Sequence, residues 1–170
     1  MNGQKVLNEI LRNQVKDIEK IRKIMNTIDI NIIGDYGKTL MMYILKNNHI
    51  LNFNREKLLN FLKDADFMHH DNYGNTLFLE ILKNYEKLAL IKMDLLFFID
   101  NYKIDYEQQD EYGNNILMYV LKHNQNQSFN FDRDEIKTIM KKTKNLNVRN
   151  NINENCLIIA AENNHVETIM

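Results

Sequence analysis

Asn72-Tyr73-Gly74-Asn75-Thr76-Leu77 decides the fold, because the chain writes it more than once. Asp35-Tyr36-Gly37-Lys38-Thr39-Leu40 precedes it and Glu111-Tyr112-Gly113-Asn114-Asn115-Ile116 follows it. Seven residues after each glycine stand Ile44-Leu45-Lys46-Asn47, Ile81-Leu82-Lys83-Asn84 and Val120-Leu121-Lys122-His123. The same offset from Asn153 gives Ala160-Ala161-Glu162-Asn163, and from Gly3 it gives Ile10-Leu11-Arg12-Asn13. The anchors are therefore positions 3, 37, 74, 113 and 153, at steps of 34 to 40 residues. Self-similarity at such a period is the signature of stacked helical units that bury their apolar faces on one another.

A second anchor keeps the register. Ala65-Asp66-Phe67-Met68 lies six residues before the Asp71 position. At that offset the other copies carry Ile28-Asp29-Ile30-Asn31, Ile104-Asp105-Tyr106-Glu107 and Lys144-Asn145-Leu146-Asn147. With both anchors in place, the unit resembles the ankyrin repeat, most closely along Asn153-Glu154-Asn155-Cys156-Leu157-Ile158-Ile159-Ala160-Ala161-Glu162-Asn163-Asn164-His165-Val166-Glu167. The resemblance implies an all-α fold, an ankyrin-type solenoid of about five stacked helix-turn-helix repeats with short hairpin-like loops. It implies one array over 1–170, with copies at about 1–33, 34–70, 71–109, 110–149 and 150–170, the first and last partial. The chain departs from the family in two ways. The family's proline is replaced by Val6, Leu40, Leu77, Ile116 and Cys156, and its histidine by Asn8, Met42, Leu79, Met118 and Ile158. The small Ala-Ala pair becomes Ile-Leu or Val-Leu in most copies, which predicts looser helix packing and a moderately stable array.

Elementary chemistry agrees with the register. Gly37, Gly74 and Gly113 fall where the chain turns sharply into a helix, and Asn153 is the best substitute for glycine at such a turn. Asn48, Asn124 and Asn164 occupy the family's helix-ending glycine, which predicts left-handed caps. Asp132 followed by Glu135 predicts a capping box, with Phe131 stapled onto Ile136. Asn54 predicts a cap before Arg55-Glu56-Lys57, with Phe53 facing Leu58. The extra residues of the longer copies fall between the two helices, as in 124–130.

Composition bounds the function. Apolar residues make up 44% of 170, and the net charge of -1 gives no overall electrostatic reason to seek nucleic acid or an anionic membrane. A single cysteine excludes an internal disulfide framework. The longest apolar stretch, 88–99, is broken by Lys92 and Asp94 and is too short to span a bilayer. Met1-Asn2-Gly3-Gln4-Lys5 does not read as a signal peptide, and the expected location is intracellular, in the cytoplasm of its own or a host cell. Proline is absent and asparagine is about one residue in six, a bias typical of AT-rich genomes.

Stacked units make a long surface rather than a reaction pocket. In the family that surface is lined by loop tips and the exposed face of the first helix of each pair. Carried over position by position, the tips supply Tyr36, His70, Asn72, Tyr73, Gln109, Glu111 and Tyr112, together with Asp35. The helix face supplies Lys46, Lys83, Lys122 and His123, with Asn47 and Asn84. Tyr36, Tyr73 and Tyr112 read as an aromatic column and Lys46, Lys83 and Lys122 as a basic one, matching a partner with apolar bumps flanked by carboxylates. The plainer reading of the same residues is that each tyrosine covers its neighbouring loop and each lysine is a solvated helix residue, since exposed single residues usually need no explanation.

His69-His70 predicts a solvated loop pair with rings on opposite faces, Cys156 a core thiol, and Met25, Met41 and Met42 core positions. Asp64/Asp66 and Asp132/Asp134 fit turns and caps, and Lys141-Lys142-Thr143-Lys144 fits a helix end. These patterns predict no catalytic residues, no metal site, no cofactor and no enzyme activity. The expectation is a monomeric module that binds a protein through its concave loop and first-helix face. The alternative is a non-catalytic targeting arm of a larger enzyme or adaptor, such as a virus or pathogen protein engaging host factors. The end at Met170, early in a second helix, is the feature that suggests a piece of a longer chain.

Overall fold

The computed structural model describes residues 27–124 and 130–163. Most of the first copy, including Gly3, Val6, Asn8 and Met25, lies outside the described residues, as does Asn164. The described chain is mostly helical: α1 Leu40–Lys46, α2 Asn48–Leu51, α3 Arg55–Leu62, α4 Leu77–Asn84, α5 Lys92–Asn101, α6 Ile116–His123, α7 Arg133–Lys142 and α8 Cys156–Glu162. Among these residues β-pairing is limited to two isolated bridges, Ile33 with Thr39 and His70 with Thr76.

Helices α1, α4, α6 and α8 begin three residues after positions 37, 74, 113 and 153. The backbone explains the spacing. Gly37, Gly74, Gly113 and Asn153 take φ values of 73°, 80°, 75° and 69°, in the left-handed region. Two residues on, Thr39, Thr76, Asn115 and Asn155 cap the helices by accepting from the N–H groups of Met42, Leu79, Met118 and Ile158 at 3.0–3.3 Å. The second anchor has an equally local cause. Asp29, Asp66, Asp105 and Asn145 each accept from the N–H two residues on, at 2.8–3.0 Å, forming the same side-chain turn four times.

The first-row helices α1, α4, α6 and α8 pack in chain order, α1 on α4, α4 on α6 and α6 on α8. Neighbours on both sides explain why α4 and α6 are apolar nearly all round rather than amphipathic. Leu40 to Leu45, Leu77 to Leu82 and Ile116 to Leu121 are buried throughout, Glu80 included. Each fully buried Leu, Phe or Met in this stack contributes about 1.5–3 kcal/mol. In α8, Leu157 and Ile158 are exposed although their counterparts Met41, Met42, Phe78, Leu79, Leu117 and Met118 are fully buried.

The second-row helices α3, α5 and α7 lie side by side and parallel. Arg55 grips Asp94 with two hydrogen bonds at 2.6 and 2.9 Å, and Lys92 reaches Glu135 at 2.9 Å, so the N-terminal ends are tied. Tyr102 donates to the Lys63 carbonyl and Lys142 to the Ile99 carbonyl, which ties the C-terminal ends. Asp132 and Glu135 form the expected capping box, and Asn54 accepts from the Lys57 N–H. Phe53, Leu58, Phe131 and Ile136 are all buried beneath these helix starts.

The asparagines after the first-row helices depart from expectation. Asn124 is right-handed at φ -66°, and Asn48 opens α2; the left-handed residue there is Asn52, at φ 49°. Asn48 and Asn124 use their side-chain amides instead. Asn48 receives the Phe53 N–H at 3.0 Å and donates to its carbonyl at 3.3 Å; Asn124 does the same to Phe131 at 2.6 and 2.9 Å.

Candidate functional site

The loop tips are shaped by one residue each. The Asp71 carboxylate accepts from the N–H groups of Tyr73 and Asn75 at 2.9 and 2.8 Å, and Asp110 from those of Tyr112 and Asn114 at 3.0 and 2.9 Å. Asn150 does the same for Ile152 and Glu154, at 3.2 and 2.9 Å. Held this way, these three turns push the residue before their left-handed position outward; the first turn has Gly34 at the equivalent position, and its Tyr36 is itself left-handed at φ 59°. Tyr36, Tyr73, Tyr112 and Ile152 are 62%, 48%, 58% and 71% exposed.

Neighbouring tips are joined. The Asn72 N–H donates to the Tyr36 carbonyl at 2.9 Å and the Asn151 N–H to the Tyr112 carbonyl at 3.0 Å. The Tyr36 and Tyr73 rings lie 5.9 Å apart, tilted by 37°. Ile152 is the fourth rung of this ladder. It stands at the tyrosines' offset, but a search for aromatic residues passes over it.

The lysines behave differently from the expected basic column. Lys83 donates to the Asn75 side chain and to Glu111, each at 2.8 Å; it also lies 3.4 Å from Asp110 and 5.4 Å from the centre of the Tyr112 ring. Lys122 pairs with Glu154 at 3.1 Å and approaches the Asn114 side chain at 3.4 Å. These cations tie a first-row helix to the next loop, so Lys46, which is exposed, differs from them. Burial alone would raise the Glu111 carboxyl, but the Lys83 hydrogen bond and charge outweigh it and hold it below its usual range.

Beneath the first tips lies a buried cluster absent from the sequence reading. The Lys38 ammonium hydrogen-bonds to Asp71 and, at 2.9 Å, to Glu80. Burial opposes the Lys38 charge, yet the bond to Asp71 and the Glu80 charge outweigh it and raise its pKa. Burial would likewise raise Asp71; the bonds from Lys38 and Asn75 prevail and lower it. At the Glu80 register position α6 carries Tyr119, whose hydroxyl donates to Asp110 at 2.7 Å.

The remaining expected site residues serve mostly structural partners. Gln109 bonds to the Gly113 carbonyl and, at 3.0 Å, to that of Arg149, joining two loops. Asn47 and Asn84 fold back onto the Tyr43 and Glu80 carbonyls, and the Asp35 carbonyl receives the Tyr43 hydroxyl. His69 approaches the Gly37 carbonyl at 2.6 Å and His70 the Asp71 carbonyl at 3.3 Å. Their rings lie parallel, 6.4 Å apart, rather than on opposite faces, because His69 is drawn back to the preceding tip. His123 stacks on Tyr119 at 5.9 Å, and its burial lowers its pKa against the opposing Glu86 charge. His123 also borders a pocket of about 100 Å³ with Tyr85 and Lys87, smaller than the roughly 300 Å³ at which ordinary ligand sites begin.

Cys156 is buried at the start of α8, and burial pushes its thiol up to about 11. Among the described residues no group of three or more His, Cys, Asp or Glu side chains is placed to hold a metal ion, and no helix is long and apolar enough to cross a membrane.

No protein-family model and no curated protein matches this chain.

Proposed function

We propose that the chain is an ankyrin-type array whose work is to hold a protein partner along its loop-tip face, without catalysis. The observation that carries this reading is the ladder of Tyr36, Tyr73, Tyr112 and Ile152, four large side chains exposed on successive turns, the last three clamped by Asp71, Asp110 and Asn150. Tyrosine offers large contact area for little lost side-chain freedom, which suits it as an interface anchor. Because Lys83 and Lys122 are neutralised within the chain, the partner is read by apolar contact at the tips rather than by a basic column. The test is capture of a binding protein by the immobilised chain, followed by titration of that protein against a variant with Tyr36, Tyr73 and Tyr112 all changed to alanine. The proposal expects affinity to fall by at least about tenfold while the unfolding transition stays in place. Unchanged affinity removes the tip ladder from the site.

A further inference from the structure

The exposed faces of α3, α5 and α7 form a grid, because the helices are parallel and tied at both ends. Down the middle of these faces stand Glu56, Met93 and Asp134 near the N-terminal ends, Asn60, Phe97 and Thr138 one turn on, and Lys63, Asp100 and Lys141 near the C-terminal ends; Arg55, Arg133, Asn101 and Lys142 are exposed along the edges. The centre of this grid is apolar, with Met93 63% and Phe97 53% exposed, while its flanks are polar. Helix dipoles account for acids at the starts of α3 and α7 and lysines at their ends. They do not account for Met93 and Phe97, whose counterparts on both neighbours are Glu56, Asp134, Asn60 and Thr138.

We propose that this face pairs with the same face of a second copy of the chain, helices antiparallel, about a two-fold axis that crosses the three helices at Phe97. An interface of this kind must be self-complementary, and the charge pattern is. Rotation about that axis sets Glu56 against Lys63 and Asp134 against Lys141 of the second copy, twice each, and brings the two Phe97 rings together beside Met93. The parallel alternative sets Glu56 against Asp134 and Lys63 against Lys141, like against like, and is disfavoured by repulsion. Exposed ion pairs contribute little affinity singly; they fix direction and register, and the central apolar pair supplies the burial. Asp100 falls opposite Met93, and the pairing leaves it and the edge cation Arg133 unanswered. This pairing uses a different face from the tip ladder and does not depend on that reading.

Sedimentation equilibrium of the full chain across the micromolar range tests it. The wild-type chain is expected to be a reversible dimer. Phe97→Asp, at an exposed position that leaves folding intact by circular dichroism, weakens it by roughly thirtyfold or more. Glu56→Lys and Lys63→Glu each weaken it, and the double variant E56K/K63E recovers most of the loss. A variant with Tyr73 and Tyr112 changed to alanine still dimerises, which separates the two surfaces. A wild-type monomer at every concentration, including one whose Phe97 face is covered only by a different protein, overturns the proposal, as does a dimer indifferent to Phe97→Asp. Single charge variants that the double variant fails to restore overturn the antiparallel register.

Discussion

Asn124 holds Phe131 by both of its backbone groups, receiving its N–H at 2.6 Å and donating to its carbonyl at 2.9 Å. Asn48 holds Phe53 the same way across a shorter connection. The clamp fixes where the second helix starts, whatever the length of chain between. Asn124→Ala removes both buried hydrogen bonds to Phe131 and is expected to cost about 1–3 kcal/mol in urea unfolding. Asn124→Gly distinguishes the clamp from a left-handed cap, since it removes the amide but favours positive φ. It is expected to destabilise at least as much as alanine; a glycine variant as stable as the parent would show that the clamp contributes nothing.

The Lys38 ammonium pairs with two buried carboxylates, those of Asp71 and Glu80. Lys38→Met strands both charges, and the expected loss is about 3–5 kcal/mol. The pH dependence follows from the lowered Asp71 pKa. A carboxyl held below its unfolded value contributes stability that is fully present above the unfolded value, and that contribution is lost as pH falls through the folded value. The parent chain should therefore lose stability on the acid side, and Lys38→Met should lose less there because Asp71 no longer has its ammonium partner. Parallel acid arms for the two proteins in urea titrations would refute this account.

How much of this could be read in advance depended on how far each interaction reaches along the chain. Helix starts at Leu40, Leu77, Ile116 and Cys156 were legible, because the left-handed residue and the Thr or Asn cap stand within three residues of them. The Asp132–Glu135 box was legible for the same reason. The role of Lys83 was not, since its partner Glu111 is on the next loop, 28 residues away. Asn124 was misread because an asparagine after a helix fits both a left-handed cap and a clamp, and only the position of Phe131 decides between them. Met93 and Phe97 sit in an apolar stretch that says nothing of which members face outward.

Cys156 provides a probe of opening. Its thiol is buried and raised from an ordinary value of 9.0 to about 11. A thiol reagent at pH 8 is expected to leave it unmodified in the native chain and to label it fully in urea. Above pH 9 the unfolded chain ionises first, so stability falls as pH rises from about 9 to 11, by roughly 3 kcal/mol in all. Lysines and tyrosines titrate in the same window, so the contribution of Cys156 is the difference from Cys156→Ala, which should lack it. Fast native labelling, or identical alkaline arms, would place the thiol outside the core.

Gly74 and Asn153 occupy equivalent turns at φ 80° and 69°, and opposite substitutions at them should have opposite signs. A side chain at position 74 is strained at that angle, and its first carbon would stand 2.1 Å from the Gln109 carbonyl oxygen. Gly74→Ala is therefore expected to cost at least about 2 kcal/mol, from the backbone angle together with displacement of the next loop. Asn153→Gly removes the cost of a left-handed non-glycine residue and is expected to leave stability unchanged or raise it by up to about 1 kcal/mol. The Asn153 side chain has no hydrogen bond set against that gain, while its N–H and carbonyl, bonded to Asn150 and Arg149, survive the change. Paired urea melts decide it: a harmless Gly74→Ala would mean that the turn at position 74 relaxes freely, and the tip ladder built on such turns would lose its rigidity with it.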